Sequence, residues 1–363
     1  MIIGSGITIT SGVQITGEIS ALYPFSTFTF TTGNTVGATG ANVQWLFANS
    51  YSVSNVGNTW LQSTNYFNVV NGYQYWTVPE TATYQITAAG SRSGISTWPS
   101  NAASGNLYGR GATISGTFAL TQGQTIAIAV GQPSANTSNG PYSSGGGGGG
   151  TFVVLGNTFP LVVAGGGGGT GSYSTLLRAG ANASTTTAGV SSFNGAPGGI
   201  NGLGGNSHIN AAGTVSLNGY DGGAGAGFSG NGASGTNNNS RPGLVSASSG
   251  QGGLSFAFGL TGGSYSTSYP PPAASSGGFG GAGGAGPICG GGGGGYSGGG
   301  GGYNASNPVA DGGGAGGSWV AANALAVATH TGTFNGNGTF GELTVTTVGT
   351  LNAGPGYVRI TKI

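Results

Sequence analysis

The chain has 363 residues, of which 85 are glycine and only 3% are charged. Six basic side chains stand against five acidic ones, a formal net charge of +1, which excludes charge-driven disorder and the cation cluster that a phosphate-neutralising surface needs. At 36% hydrophobic, with 15 Tyr, 15 Phe and 5 Trp, the chain can build a packed core. Its solvent-facing surface must then be made of Ser, Thr, Asn, Gly and Tyr rather than ions.

In chain order, the opening "MIIGSGITIT" has neither a basic segment nor a long apolar one, so no secretory leader is expected. No apolar run is long enough to span a bilayer. Two six-residue copies follow one another, SGITIT from Ser5 and SGVQIT from Ser11. In each, Ile or Val alternates with polar residues, the pattern of a short strand with one apolar face. Two hexads cannot bury that face alone. Residues 1–20 are therefore expected to form a β arm that pairs with a neighbouring subunit or lies on the body, the alternative being a first strand of the main sandwich.

From residue 21 to 135 the chain is rich in β-formers. "FSTFTFTT" (residues 25–32) alternates and places Phe28 and Phe30 on one side. "NVQWLFANSYS" (residues 42–52) is the one stretch suited to a short helix. "YQYWTVPETATYQITAAG" (residues 73–90) reads as strand, turn, strand, and "GATISGTFALTQGQTIAIAVG" (residues 111–131) as two more strands separated by "TQG". Short strands punctuated by turns predict a β-sandwich or barrel, completed by residues 319–363 with strands at 343–348 and 357–363. Residues 136–318 are glycine-rich, and within them "TFVVLGNTFPLVVA" (residues 151–164) reads as a hairpin with "GN" at its tip.

Four glycine runs need an explanation. They are Gly145, Gly146, Gly147, Gly148, Gly149 and Gly150; Gly165, Gly166, Gly167, Gly168 and Gly169; Gly290, Gly291, Gly292, Gly293, Gly294 and Gly295; and Gly298, Gly299, Gly300, Gly301 and Gly302. Gly166, Gly168 and Gly171 satisfy the spacing of a dinucleotide-binding turn. That turn needs a helix directly after it and an acid about twenty residues on. The following "GSYSTLLRAGANASTTT" is too rich in Thr and Gly for the helix, and no Asp or Glu occurs between Glu80 and Asp221. No run leads into the Lys-Ser/Thr of a phosphate loop, so no cofactor is expected. Collagen fails because the runs are continuous rather than periodic. A flexible linker fits poorly, because nearly pure glycine brackets an apolar hairpin tightly. The remaining reading is an ordered lattice of extended, left-handed threefold helices. Their backbone groups point sideways, and the missing Cβ lets neighbours approach closely enough to bond. Tyr296 and Tyr303, each beside a run, would flank that lattice.

Chemistry-bearing residues are sparse. The acids are Glu18, Glu80, Asp221, Asp311 and Glu342, and their spacing implies no pair. His208 and His330 have no ligand-type neighbours at metal spacing. The single cysteine, Cys289, sits in "GPICGGGGGG" and reads as a small buried apolar residue. Arg92 and Arg110 read as surface residues or partners of backbone carbonyls. No catalytic or metal site is expected.

The series "YQYWTVPETATYQITAAG", "GRGATISGTFALTQGQTIAIAVGQ", "GGGGGGTFVVLGNTFPLVVAGGGGG", "GGGGGGYSGGGGGY" and "GPGYVRIT" resembles a glycine-rich domain family found in phage and algal-virus structural proteins. A related pattern occurs in the extracellular glycine-rich region of the anaplastic lymphoma kinase and leukocyte tyrosine kinase receptors. A more distant one occurs in the tip adhesins of long phage tail fibres. The resemblance implies a mainly β fold with almost no α-helix: a jelly-roll-like sandwich with a polyglycine II bundle inserted before its last strand. It also implies a virion structural protein at the particle surface, of the tail-fibre or adhesin type. That lifestyle reconciles an extracellular-looking composition with the missing leader. Expected partners are other virion proteins through the N-terminal arm, further copies of the chain in a homo-oligomer, and a host surface glycan or protein. Neither nucleic acid nor membrane insertion is expected. Host contact is assigned to "YSTSYPPPAASS" (residues 265–276), with Tyr265, Tyr269, Pro270 and Pro271 as contact residues. The alternative is a purely architectural role as capsid decoration or filament subunit. A tail-spike depolymerase is the least favoured reading.

Overall fold

The structure is a computed structural model that describes residues 20–96, 107–137, 143–173, 176–207, 209, 220–235, 249–266, 275–304, 310–324, 326–329 and 351–363. The hexad arm, the strand expected at 343–348, both histidines, Glu18, Glu342, Tyr269, Pro270 and Pro271 lie outside the described residues.

β1 (Thr27–Thr31), β4 (Ala82–Ala89), β5 (Thr113–Leu120), β12 (Ala326–Thr329) and β13 (Tyr357–Lys362) form a five-stranded antiparallel sheet in the order β1-β13-β4-β5-β12. β2 (Phe67–Val70), β3 (Tyr73–Thr77), β6 (Thr125–Ala129), β7 (Thr151–Leu155), β8 (Phe159–Ala164) and β11 (Trp319–Val320) form a six-stranded antiparallel sheet in the order β11-β8-β7-β6-β3-β2. A small ladder, β9 (Gly171–Tyr173) with β10 (Leu176–Arg178), stands apart. The last strand enters between β1 and β4, pairing Phe30 with Val358 and Ile86 with Ile360, so the chain's end closes the sheet its beginning opened.

Turn chemistry follows the sequence closely. The β2–β3 hairpin turns through Asn71 and Gly72, at φ 51° and 84°. The β7–β8 hairpin turns through Gly156 and Asn157, at φ 57° and 63°. Both pairs occupy the left-handed region that tight hairpins demand. "VPET" and "TQG", by contrast, carry the chain from one sheet to the other, so β3 with β4 and β5 with β6 are not hairpins. The two crossings lock together: Val78 N donates to Gln124 O and Gly123 N to Val78 O, both at 2.9 Å. A short helix, α1 (Val43–Asn49), begins where the Asn42 side chain accepts from Trp45 N at 2.8 Å, and buries Leu46.

Between the sheets, alternate residues of each strand meet in an aromatic core. Phe30, Trp76, Tyr84, Phe118, Ile86, Ile126 and Ile128 are fully buried there. The Trp76 and Tyr84 rings meet edge to face at 5.7 Å. Each such side chain contributes about 1.5–3 kcal/mol by leaving water. The other face of the six-stranded sheet is buried too. Tyr73, Ala127, Ala129, Phe152, Val154 and Val163 pack against Phe256, Leu260 and Phe279 of the glycine-rich region. The small side chains of Ala127 and Ala129 in β6 let that region approach the sheet closely. The fold thus has three layers: sheet, sheet and glycine-rich region.

Candidate functional site

All the glycines of the four runs are buried, and none takes a φ in the left-handed region. Backbone freedom is therefore not what selects glycine here. Space is. A Cβ on Gly149 would lie 1.7 Å from Phe279 O, one on Gly168 2.0 Å from Gly313 O, and one on Gly147 2.1 Å from Gly292 O. Any larger residue would displace neighbouring backbone rather than a side-chain tip.

The bonding around residues 290–295 shows what the close approach achieves. Gly290 N and Gly293 N donate to Asp311 O and Gly314 O, both at 2.9 Å. Gly291 N and Gly294 N donate to Gly145 O and Gly148 O, both at 3.1 Å. Gly292 N and Gly295 N donate to Gly223 O and Ala226 O at 2.8 and 3.2 Å. Residues three apart thus face the same neighbouring segment. The carbonyls repeat the pattern toward three further segments. Gly290 O and Gly293 O accept from Gly302 N and Gly299 N, Gly291 O and Gly294 O from Gly169 N and Gly166 N, and Gly292 O from Gly283 N, all at 2.8 Å. One central thread is therefore bonded to six others, some parallel and some antiparallel to it.

The same period of three governs the outer threads. Gly145 N and Gly148 N donate to Thr170 O and Gly167 O, and Gly165 O and Gly168 O accept from Ala112 N and Gly109 N. Gly298 N and Gly301 N donate to Leu203 O and Asn206 O, and Gly300 N to Val190 O. Gly147 N and Gly150 N reach Gly283 O and Gly280 O. Where no backbone acceptor is available, a hydroxyl substitutes. Gly146 N donates to Ser275 Oγ at 2.7 Å, and Gly165 N to Ser318 Oγ at 3.1 Å. Buried amides are costly to leave unpaired, and the lattice satisfies them with backbone carbonyls and small hydroxyls. The amides of Gly166 and Gly168, part of the nucleotide-like spacing, are spent on Gly294 O and Ala181 O. They present no donors to a phosphate.

Several threads escape detection in the sequence. Residues 222–227, 277–286 and 311–317 mix Gly with Ala, and their alanines Ala224, Ala226, Ala282, Ala285 and Ala315 are fully buried. The readable signal is a run of Gly and Ala in which almost nothing larger intervenes, rather than glycine alone.

Two carboxylates lie inside this lattice, fully buried. Asp311 Oδ1 accepts from Asn194 N at 3.0 Å and Oδ2 from Tyr303 N at 2.6 Å, while Asp221 Oδ1 accepts from Asn304 N at 2.9 Å. They receive the chain where the run at 298–302 ends, acting as backbone acceptors. Burial pushes the Asp311 carboxyl up to about 6, against the pull of the Tyr303 and Asn194 amides and of the Arg178 charge. Cys289 is fully buried beside them, and burial, reinforced by the charges of Asp311 and Asp221, holds its thiol well above its usual range. A buried thiol with a raised pKa is a poor nucleophile. Arg92 donates to Ser93 O and Asn136 Oδ1, and Arg110 lies 5.8 Å from the Tyr108 ring.

Tyr303 is fully buried, and Tyr296 stacks on Trp319 at 4.6 Å with ring planes 15° apart, joining the lattice to the edge of the six-stranded sheet. Tyr265 is half-buried at the margin of the lattice, between Ser264 O, which accepts from Gln251 N, and Ser266 N, which donates to Ala285 O. Among the described residues no three His, Cys, Asp or Glu gather as metal ligands, and no helix is long and apolar enough to cross a membrane. No protein-family model matches the chain, and no curated protein sequence matches it.

Proposed function

We propose that this chain is a virion structural protein of the tail-fibre or surface-fibre adhesin type, displayed on the particle and contacting the host. The lattice carries the reading. It is an interior in which Asp221 and Asp311 are the buried carboxylates among the described residues and in which backbone groups spend their bonding capacity on one another. We read the threads as polyglycine II helices, which make no bonds within their own strand and turn once in three residues. That geometry accounts for the period of three and for the absence of left-handed φ values in the runs. We read the body as a jelly-roll-like sandwich, because the chain crosses between the two sheets after β1, β3, β5 and β11. In this reading residues 1–20 join other virion proteins, copies of the chain associate, and the chain performs no catalysis. Pre-incubating host cells with the purified protein is expected to reduce adsorption of the particle. Cells that remain fully infectable, together with bound antibodies that fail to neutralise, would overturn the host-contact role.

One observation favours a second reading, an architectural component such as a capsid decoration or filament subunit. The five-stranded sheet ends in β1, whose outer edge pairs with no other described strand and suits lateral pairing with a neighbour. Copy number separates the two. Hundreds of copies per particle, or a helical array, favour the architectural role, and a few copies at a fibre tip favour the adhesin.

A further inference from the structure

At the seam between the six-stranded sheet and the glycine-rich region, three turns meet. They are the β2–β3 turn at Asn71, the β7–β8 turn at Asn157, and a single 3-10 turn at Phe256–Phe258. Between them lies a cleft of about 500 Å³ lined by Val70, Asn71, Tyr73, Tyr75, Asn157 and Phe258, with the 3-10 turn as its far wall. A second cleft of about 460 Å³ shares Asn71, Phe258 and Gly259 with it and continues to Thr39 and Thr261. Both volumes fall within the range of small-ligand sites, which favour such seams.

Three features of this place go beyond packing. First, its aromatic wall is fixed. Tyr73 donates to Phe256 O at 2.6 Å, meets the Phe256 ring edge to face at 5.1 Å, and lies stacked beside Tyr75 at 6.5 Å. Second, Phe258 is 64% exposed although its neighbour Phe256 is buried. The backbone that raises it is strained. Leu260, a fully buried leucine, takes φ 53°, a region that γ-branched residues rarely enter. Its carbonyl accepts from both Gly280 N and Gly281 N at 2.9 Å, which holds the turn in place. Strain of this kind persists where the surroundings enforce it, and it concentrates at binding sites. Third, no charged residue lines either cleft, and the polar groups available are amides and hydroxyls.

The geometry points to a neutral saccharide as the occupant. A pyranose offers an apolar C–H face to stack on an aromatic ring and a rim of hydroxyls that both donate and accept. The amides of Asn71 and Asn157 and the hydroxyls of Thr39 and Thr261 match that rim in kind. Anionic ligands find no counter-charge there. Because Phe258 lines both clefts, its ring is available to sugar units in each, and two consecutive units would share it. The cleft residues named here differ from the contact residues expected at 265–276. The site deepens the host-contact reading and rests on it for its biology.

The test applies the full chain to an array of neutral, sialylated and sulfated oligosaccharides, followed by calorimetric titration of the best ligand. Binding to at least one neutral oligosaccharide is expected. Phe258→Ala and Tyr75→Ala should each weaken it at least tenfold. Phe193→Ala, at an equally exposed aromatic (67%) not among the cleft residues, should leave it unchanged. Equal urea midpoints for wild type and Phe258→Ala exclude unfolding as the cause. Binding confined to acidic glycans, no glycan binding, or full binding by Phe258→Ala overturns the proposal. A chain that binds neutral glycans yet fails to compete with particle adsorption keeps the cleft and removes the attachment reading. A chain that competes yet binds no neutral glycan does the reverse.

Discussion

Substituting alanine for Gly293 separates the steric account of the glycines from the conformational one. Gly293 lies in the central thread with φ outside the left-handed region. Conformational entropy alone predicts that Gly293→Ala stabilises the protein by about 0.4–1 kcal/mol, because the unfolded chain becomes less free. The lattice predicts the opposite sign. The new Cβ would lie 2.1 Å from Gly166 O and 2.8 Å from Gly166 C, whereas ordinary contact begins at 3.4 Å. One thread must recoil by more than an ångström. The thread containing Gly166 is held, since Gly166 N donates to Gly294 O and Gly166 O accepts from Gly316 N, at 2.8 and 2.9 Å. Overpacking costs about 1–3 kcal/mol, and distorting two buried hydrogen bonds costs about 0.5–1.5 kcal/mol each. The net loss is on the order of 3 kcal/mol once the entropic gain is subtracted. Gly57→Ala is the control, for nothing lies within 4 Å of its Cβ position; it should be neutral or slightly stabilising. Urea denaturation of the three proteins reads both effects. If Gly293→Ala is at least as stable as wild type, or if Gly57→Ala loses as much, close approach is not what glycine provides.

Three further outcomes follow from the interior. The Asp311 carboxyl rises from 3.8 to about 6 on folding, so the folded state holds that proton more tightly. Its contribution is full below the unfolded value and disappears as pH rises through 6. Wild type should lose up to about 3 kcal/mol more stability between pH 4 and 7 than Asp311→Asn, and equal urea stabilities across that range for both proteins would refute this. Ser318→Ala removes the acceptor of Gly165 N and the donor to Ser184 O, and should cost about 1–3 kcal/mol in the same assay; a neutral substitution would mean the amide finds another partner. The buried Cys289 thiol should resist maleimide in native buffer and react fully in denaturant, and rapid native labelling would contradict its placement.

The β layers were largely legible because their signals are local. Alternation in "FTF", the turn residues around "GN" and the Asn42 cap of "NVQWLFAN" each announce an element within a few residues. Asn71-Gly72 carried an equally strong hairpin signal that the strand-turn-strand reading of the neighbouring segment overlooked. Which sheet each strand joins was not readable, because "VPET" and "TQG" look like hairpin turns until Val78 and Gln124 are seen to bond across them. Pure glycine runs mark some threads. The alanine-containing ones are hidden, since an alanine is tolerated only where the neighbours leave room for its Cβ, as where Ala315 packs against Ala112 and Ala183, a property of the neighbours rather than of the segment. The cleft around Phe258 depends on turns at Asn71, Asn157 and Phe256–Phe258, far apart in sequence, and on one strained leucine, none of which leaves a pattern in composition.

A period of three in backbone bonding has a consequence for how this molecule can change over generations. Inserting one residue within a thread would move every later amide one step along that period and aim it at the wrong neighbour. Length changes inside the threads should thus survive only in steps of three, whereas a connection is constrained only by the contacts it makes itself, as Tyr296 is by its stack on Trp319.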